Sequence, residues 1–267
     1  MGVTQIAAEE LGLRPEDISI GMPDTDAAGY DAGSQGSRTT HIVGRAVRLA
    51  AAEVREKIFA VAARVLEADE ADLELAGGTV QVRGAPARAI SLARVASEAM
   101  WSTGPIMGTG SYTTPAPAYN PSCASGLLFP TFPTPTYHVH LAEVEVDPAT
   151  GAVKVLRYVV VKEVGKAINP VGVKGQIQGG VAQGLGYVLY EGLEIVDSRY
   201  LQRTLETYRL PLAVDVPEVE AILLEHGYAA GPFGARGVAE PPIVPVNRVP
   251  IRPDDLMAAL ATSEAEA

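Results

Sequence analysis

The sequence predicts an α+β chain built as two lobes, with mixed sheets and packed helices. Three observations predict it: one long amphipathic helical stripe, two hairpins marked by turn chemistry, and no regular alternation of strand and helix. At 267 residues, 47% hydrophobic and 20% charged, the chain can form one large domain or two modest ones, each with its own core.

The first lobe is expected over 1–110. Residues 4–11 read as a short helix stopped at Gly12, and 17–22 as a strand-like run into a polar, glycine-rich loop over 23–38. The strongest helix is expected over 44–68, where Val47, Ala51, Val54, Ile58, Val61 and Val65 step by four and three along one face. A hairpin over 72–84 turns at Gly77-Gly78, and a second helix is expected over 92–100. The stretch 104–135 is dense in Gly, Pro, Ser and Thr, and 111–135 is taken as the connector between lobes.

The second lobe is expected over 136–267. Its hairpin pairs 137–146 with 153–161 around Asp147-Pro-Ala-Thr-Gly151, good turn chemistry between runs of strand formers. Asn169-Pro170 introduces a helix over 175–190 rich in small residues, which admit another backbone at close range. A strand over 219–224 leads to the glycine-rich segment 231–242, and the acidic tail from Thr262 is expected to fray.

Composition excludes several functions. A net charge of −11 disfavours nucleic acid. The single Cys123 excludes an internal disulfide, and no CxxC pair exists to hold zinc or an iron–sulfur cluster. His138 and His140 share a strand face, but no third ligand accompanies them, and Asp24, Asp26 and Asp31 lack the closing Glu of a calcium loop. No metal ligand is therefore expected from the chain, and any redox cofactor must be held without its own Cys or His. No apolar run is long enough to span a membrane, and the N-terminus lacks the pattern of a signal peptide. A cytoplasmic location is expected.

Three segments can carry chemistry. Gly33-Ser-Gln-Gly-Ser-Arg-Thr-Thr40 precedes the long helix, where turned backbone, hydroxyls and the Arg38 fork suit an anion. Helix capping by Ser and Thr explains it equally well. Gln176-Ile-Gln-Gly-Gly-Val-Ala-Gln-Gly-Leu-Gly186 offers amides that suit a heterocycle edge, or simply packs through its glycines. In 231–242, three glycines bring Glu240 up against two prolines, as a general base requires, although a glycine-rich surface turn reads the same way.

In this order the three segments resemble the second molybdopterin-binding domain of the molybdenum hydroxylases, the family of xanthine dehydrogenase, aldehyde oxidase and carbon monoxide dehydrogenase. Gly36 to Thr40 is similar to that family's Gly-Ser-Arg-Ser/Thr-Thr loop, and Gly175 to Gly186 to its glutamine-glycine helix. Gly234-Ala-Arg-Gly-Val-Ala-Glu-Pro-Pro242 is similar to its catalytic segment, usually Gly-Ala-Lys-Gly-Val-Gly-Glu-Pro-Pro. Val144-Glu-Val-Asp-Pro-Ala-Thr-Gly and Tyr208-Arg-Leu-Pro also match, so the resemblance covers nearly the whole chain.

The resemblance implies roles. Gly36, Ser37, Arg38, Thr39 and Thr40 hold the pyranopterin and its phosphate or nucleotide tail, a cytosine dinucleotide being one form. Gln176 hydrogen-bonds the molybdenum-molybdopterin cofactor near the metal, and Arg236, Gly237, Val238 and Ala239 complete the contacts. Glu240 takes the proton of a molybdenum-bound hydroxyl that attacks an electron-poor carbon of an aldehyde, an N-heterocycle or a similar small substrate. The metal is held by the cofactor. [2Fe–2S] clusters and FAD belong on partner subunits, and a further polypeptide supplies the first half of the molybdenum subunit, because the chain opens on a helix that follows another cofactor loop in the family. Two further departures stand out: Ala239 replaces the usual glycine, and Pro241-Pro-Ile-Val-Pro245 passes almost directly to Arg248, where relatives carry another helix. A truncated, non-catalytic remnant of the same fold and an independent anion-binding module stay open as alternatives.

Overall fold

The computed structural model describes residues 1–21, 24–26, 29, 33–114, 135–240 and 253. Asp31, most of the expected connector, the prolines after Glu240 and the acidic tail lie outside them.

Two compact units emerge, neither contiguous in sequence. The first comprises Met1–Pro135, Gly165–Asn169 and His226–Gly237, the second Thr136–Val164, Pro170–Glu225 and Val238–Ala267. A second lobe running unbroken over 136–267 is therefore not what forms. Backbone bonding is the reason: Gly165 bridges Ala235, and the Lys166 amide donates to the Gly234 carbonyl at 2.9 Å, fixing two short returns into the first unit.

In the first unit, α1 (Gly2–Glu10) lies on the long α2 (Thr39–Leu66), and a three-stranded antiparallel sheet follows: β1 (Leu73–Ala76), β2 (Thr79–Val82) and β3 (Ala85–Ser91). Helix α3 (Leu92–Ser102) comes next, capped by the Ser91 hydroxyl accepting from the Arg94 amide. The α2 stripe buries Ile58, Val61 and Ala62 against Leu73, Val80, Ile90, Val95 and Ala99, each large apolar side chain contributing about 1.5–3 kcal/mol. Glu10 is buried between Arg48 and Arg55, at 3.1 and 3.0 Å, tying α1 to α2.

Three expectations change here. Residues 17–21 are not a strand: a 3-10 turn (Pro15–Asp17) forms, with the Asp17 carboxylate accepting from the Arg14 amide and guanidinium, and 18–21 form none among the described residues, while Met22 lies outside them. Strand β3 was not anticipated; it joins β2 through a bulge at Gln81/Val82. The expected connector begins as part of the first unit, since Met107 and Thr109 bond to Lys57 and Glu53 of α2, and 111–114 line a cleft on that helix.

In the second unit, β4 (His138–Val146) and β5 (Val153–Glu163) pair antiparallel. Their turn is closed by the Asp147 carboxylate, which accepts from the Ala149 amide and the Thr150 hydroxyl at 2.8 Å. Helix α4 (Pro170–Leu185) starts five residues before its glycine run, because Pro170 suits a first helical turn, where no amide partner is needed. A π-helical turn over Gly186–Tyr190 ends it, closed by the Glu191 amide on the Gly186 carbonyl at 2.8 Å. After the short pair β6 (Ile195–Val196) and β7 (Arg199–Tyr200), β8 (Val219–Leu224) joins β5 in parallel, giving the mixed order β4-β5-β8. Val160, Ile177, Val181, Leu185, Val219 and Val238 make one apolar core between sheet and helix.

Candidate functional site

The Gly36 to Thr40 loop belongs to the first unit. Gly36 and Ser37 both take positive φ (60° and 47°), and the Arg38 amide returns to the Gln35 carbonyl at 3.4 Å. This is a tight turn with both central residues left-handed, a conformation that glycine adopts freely and serine does not. It delivers Arg38 to the N-cap of α2, where the arginine side chain makes no capping bond; the Thr39 hydroxyl donates to the Ser34 hydroxyl at 2.8 Å. Arg38 and Thr39 line a cleft of about 730 Å³ whose other walls are Gly33, Ser34, one face of α2 from Ile42 to Ala50, and residues 110–114. Arg38 and the hydroxyls of Ser34, Thr39 and residues 111–114 share this lining with the apolar face of α2.

The segment 231–237 is locked against this loop. A Cβ on Gly237 would lie 3.3 Å from the Cα and Cβ of Arg38, so no larger residue fits without displacing backbone. One turn into α2, His41 is 1% exposed, and its Nδ1 lies 3.3 Å from the Ala235 carbonyl. Burial pushes the imidazole below its usual range, and the nearby Arg236 and Arg38 charges add to this against the opposing Ala235 bond. The ring is therefore neutral, with Nδ1–H donating to Ala235. Tyr112 meets its face edge-on and Tyr228 lies tilted beside it, with centroids 5.9 and 5.7 Å away. Arg236 stacks over Tyr228 at 4.5 Å and donates to the Pro135 carbonyl at 3.0 Å.

In the second unit, Gln176 is exposed on α4 beside the buried Ile177, and Val238 shares the core that holds Ile177. The two anchors set the backbone from which Gln176, Ala239 and Glu240 project. The Val238 side chain is buried in that core, so only its backbone is left to face a ligand. Ala239 has φ 60°, and Glu240 is exposed.

Residues 1–217 match the family model described as molybdopterin cofactor-binding domain. The chain belongs to that domain family, within the molybdenum hydroxylases. It is 35% identical over 244 residues to the 6-hydroxypseudooxynicotine dehydrogenase complex subunit gamma of Paenarthrobacter nicotinovorans, covering 89% of this chain and 29% of that one. It is 33% identical over 243 residues to the carbon monoxide dehydrogenase large chain of Hydrogenophaga pseudoflava, covering 90% of this chain and 29% of the relative. Among solved structures, quinoline 2-oxidoreductase from Pseudomonas putida 86 superposes with a TM-score of 0.76 at 28% identity, covering 98% of this chain and 32% of that one. Carbon monoxide dehydrogenase from Oligotropha carboxidovorans superposes with a TM-score of 0.75 at 27% identity, covering 90% and 29%. The chain thus spans less than a third of the length of the relatives it matches.

The left-handed φ of Ala239 is a backbone conformation that glycine adopts freely, in keeping with the glycine that the resemblance leads one to expect there. Two features of the site were not legible beforehand. Nothing local marks His41, and 110–114 read only as part of the Gly-, Pro-, Ser- and Thr-dense stretch that leads into the connector. Gly108 and Gly110, whose backbones press on α2, were the available signal. Among the described residues, no helix is long and apolar enough to cross a membrane.

Proposed function

We propose that this chain forms part of the molybdenum-cofactor subunit of a molybdenum hydroxylase that oxidises an aldehyde, an N-heterocycle or a similar small substrate with water as oxygen source. The observation that carries this reading is the packing of Gly237 on Arg38, which draws the anion-suited loop and the start of the glutamate segment into one constellation. The cleft suits a pterin with a phosphate-bearing tail, since a guanidinium and several hydroxyls line it together with the apolar face of α2.

When bound, the cofactor supplies the two-electron oxidation. Arg38 offers a paired N–H fork to phosphate oxygens, and Ser37, Thr39 and Thr40 add hydroxyl donors. Gly36 gives the turn that points them, Gly237 packs beside it, and Val238 and Ala239 offer backbone groups to the cofactor. Arg236 holds its own segment in place through Tyr228 and Pro135. The Gln176 amide donates to and accepts from the heterocycle edge. The carboxylate oxygens of Glu240 take up the proton released as water oxygen passes to the substrate carbon.

The relatives carry names such as complex subunit gamma and large chain, which supports assembly with other polypeptides. The partners proposed here are a polypeptide matching the rest of the molybdenum subunit, an iron–sulfur subunit and an FAD subunit. In the co-expressed complex, Glu240→Gln is expected to leave molybdenum content near normal and to cut turnover by at least about 10²-fold, the scale for a positioned general base. Turnover that survives the substitution removes Glu240 from the mechanism.

A further inference from the structure

A second polar cluster lies in the second unit, on the sheet face that α4 covers. Register places His138 opposite Lys162, His140 opposite Val160 and Ala142 opposite Tyr158, so all six side chains emerge on one face. On β8 the same face presents Val219, Ala221 and Leu223. Val160 and Val219 belong to the apolar core, yet Lys162, two residues from Val160, is 0% exposed and heads the fully buried side chains by size.

Its ammonium has no counter-ion among the described residues. The side-chain contacts of Lys162 Nζ are Thr136 Oγ1 and His138 Nδ1, each at 3.4 Å, and no ion pair among the described residues includes it. The rings of His138 and His140 meet edge to face at 5.3 Å, and His140 Nδ1 lies 3.2 Å from the Tyr158 hydroxyl. With that hydroxyl donating to Nδ1, His140 carries its proton on Nε2, a buried atom with no partner among the described residues. By the same logic Lys162 donates to His138 Nδ1, leaving the His138 proton on Nε2. Among the described residues none of the side chains that the register places on this face is a carboxylate, and the Nε2–H of His140 is left as a donor without a partner. Burial pushes Lys162 down to about 8 and lowers both histidines, with mutual repulsion adding to the latter. A buried cation held only by two long bonds to neutral acceptors is costly unless an anion completes it.

We propose that Lys162, His138 and His140 form an anion site, separate from the molybdopterin constellation, that takes a carboxylate. One lysine charge and two imidazole N–H groups match a monoanion with two acceptor oxygens. The carboxylate comes either from a small acid in solution or from an Asp or Glu side chain of a polypeptide assembled with this chain.

The natively purified protein distinguishes the two sources. If the ligand is free, sodium formate and sodium acetate raise the melting temperature of the wild type in a concentration-dependent way, and Lys162→Met weakens the apparent affinity at least about tenfold, as expected for losing a charged hydrogen-bond donor. His140→Phe, which keeps the lysine, reads the same loss if Lys162→Met does not fold. If the ligand is a side chain, formate and acetate have no effect, and a carbodiimide joins Lys162 to an Asp or Glu in a cross-linked peptide found by mass spectrometry. No formate or acetate response together with no Lys162 cross-link overturns the proposal. So does an equal formate response in wild type, Lys162→Met and His140→Phe.

Discussion

Gly237 sits so close to Arg38 that a single added carbon would stand 3.3 Å from the arginine's Cα. The neighbour it meets is backbone at the start of α2, which has no free rotamer with which to yield. Gly237→Ala is therefore expected to cost about 1–3 kcal/mol, as overpacking does. It should also reduce pterin content, because the strain falls on the Ser37–Arg38 turn. Denaturant midpoints and pterin assays on the same preparations check this, and a variant with wild-type values in both would show that the contact is slack.

Arg38 itself separates two readings of its loop. Were the hydroxyls only helix caps, disturbing the loop would cost about 1 kcal/mol of stability per cap and leave ligand content alone. The Arg38 side chain makes no capping bond to α2, so its removal puts little cap stability at stake. Arg38→Ala is expected to keep the melting temperature nearly unchanged while cofactor content drops. The opposite pattern would return the loop to a purely structural role.

Much of this architecture was legible in the chain itself, for reasons that were local. The α2 stripe, the turn at Asp147 and the run at 219–224 each carry their signal within a few residues. What escaped depended on distant partners. His41 gains its role from the Ala235 carbonyl, 194 positions away, and β3 is weakly patterned but held by pairing with β2. The division into units escaped for the same reason, since 165–169 and 226–237 return to the first unit through backbone bonds that no local pattern encodes. The candidate residues were found by motif, and their grouping became visible only in three dimensions.

Ala239 holds a φ of 60°, where an L side chain costs roughly 1–2 kcal/mol. Glycine relieves that strain but gives back part of the gain through a freer unfolded chain. Ala239→Gly is expected to raise stability by up to about 1 kcal/mol without lowering turnover in the assembled complex. Ala239→Val should lower stability, because a β-branched residue tolerates left-handed backbone poorly. Chemical denaturation of the pair tests the sign, and equal stabilities of all three would mean that the position relaxes to negative φ.

His41 makes stability depend on pH in a defined direction. Burial holds its folded pKa below the unfolded value of about 6.5, with the Arg236 and Arg38 charges acting the same way. Protonation therefore favours the unfolded chain. The stabilising contribution is complete above about pH 6.5 and is lost as pH falls below that toward the lower folded value. His138 and His140 are shifted in the same direction, so the wild-type curve alone does not isolate His41. His41→Gln does, because glutamine keeps an N–H donor for the Ala235 carbonyl and does not titrate, while the other two histidines remain. Unfolding free energy measured from about pH 7.5 to 5 should fall less steeply in the variant than in the wild type. Equal slopes would mean that folding leaves the His41 pKa unshifted, and the depression assigned to its burial would have to be abandoned.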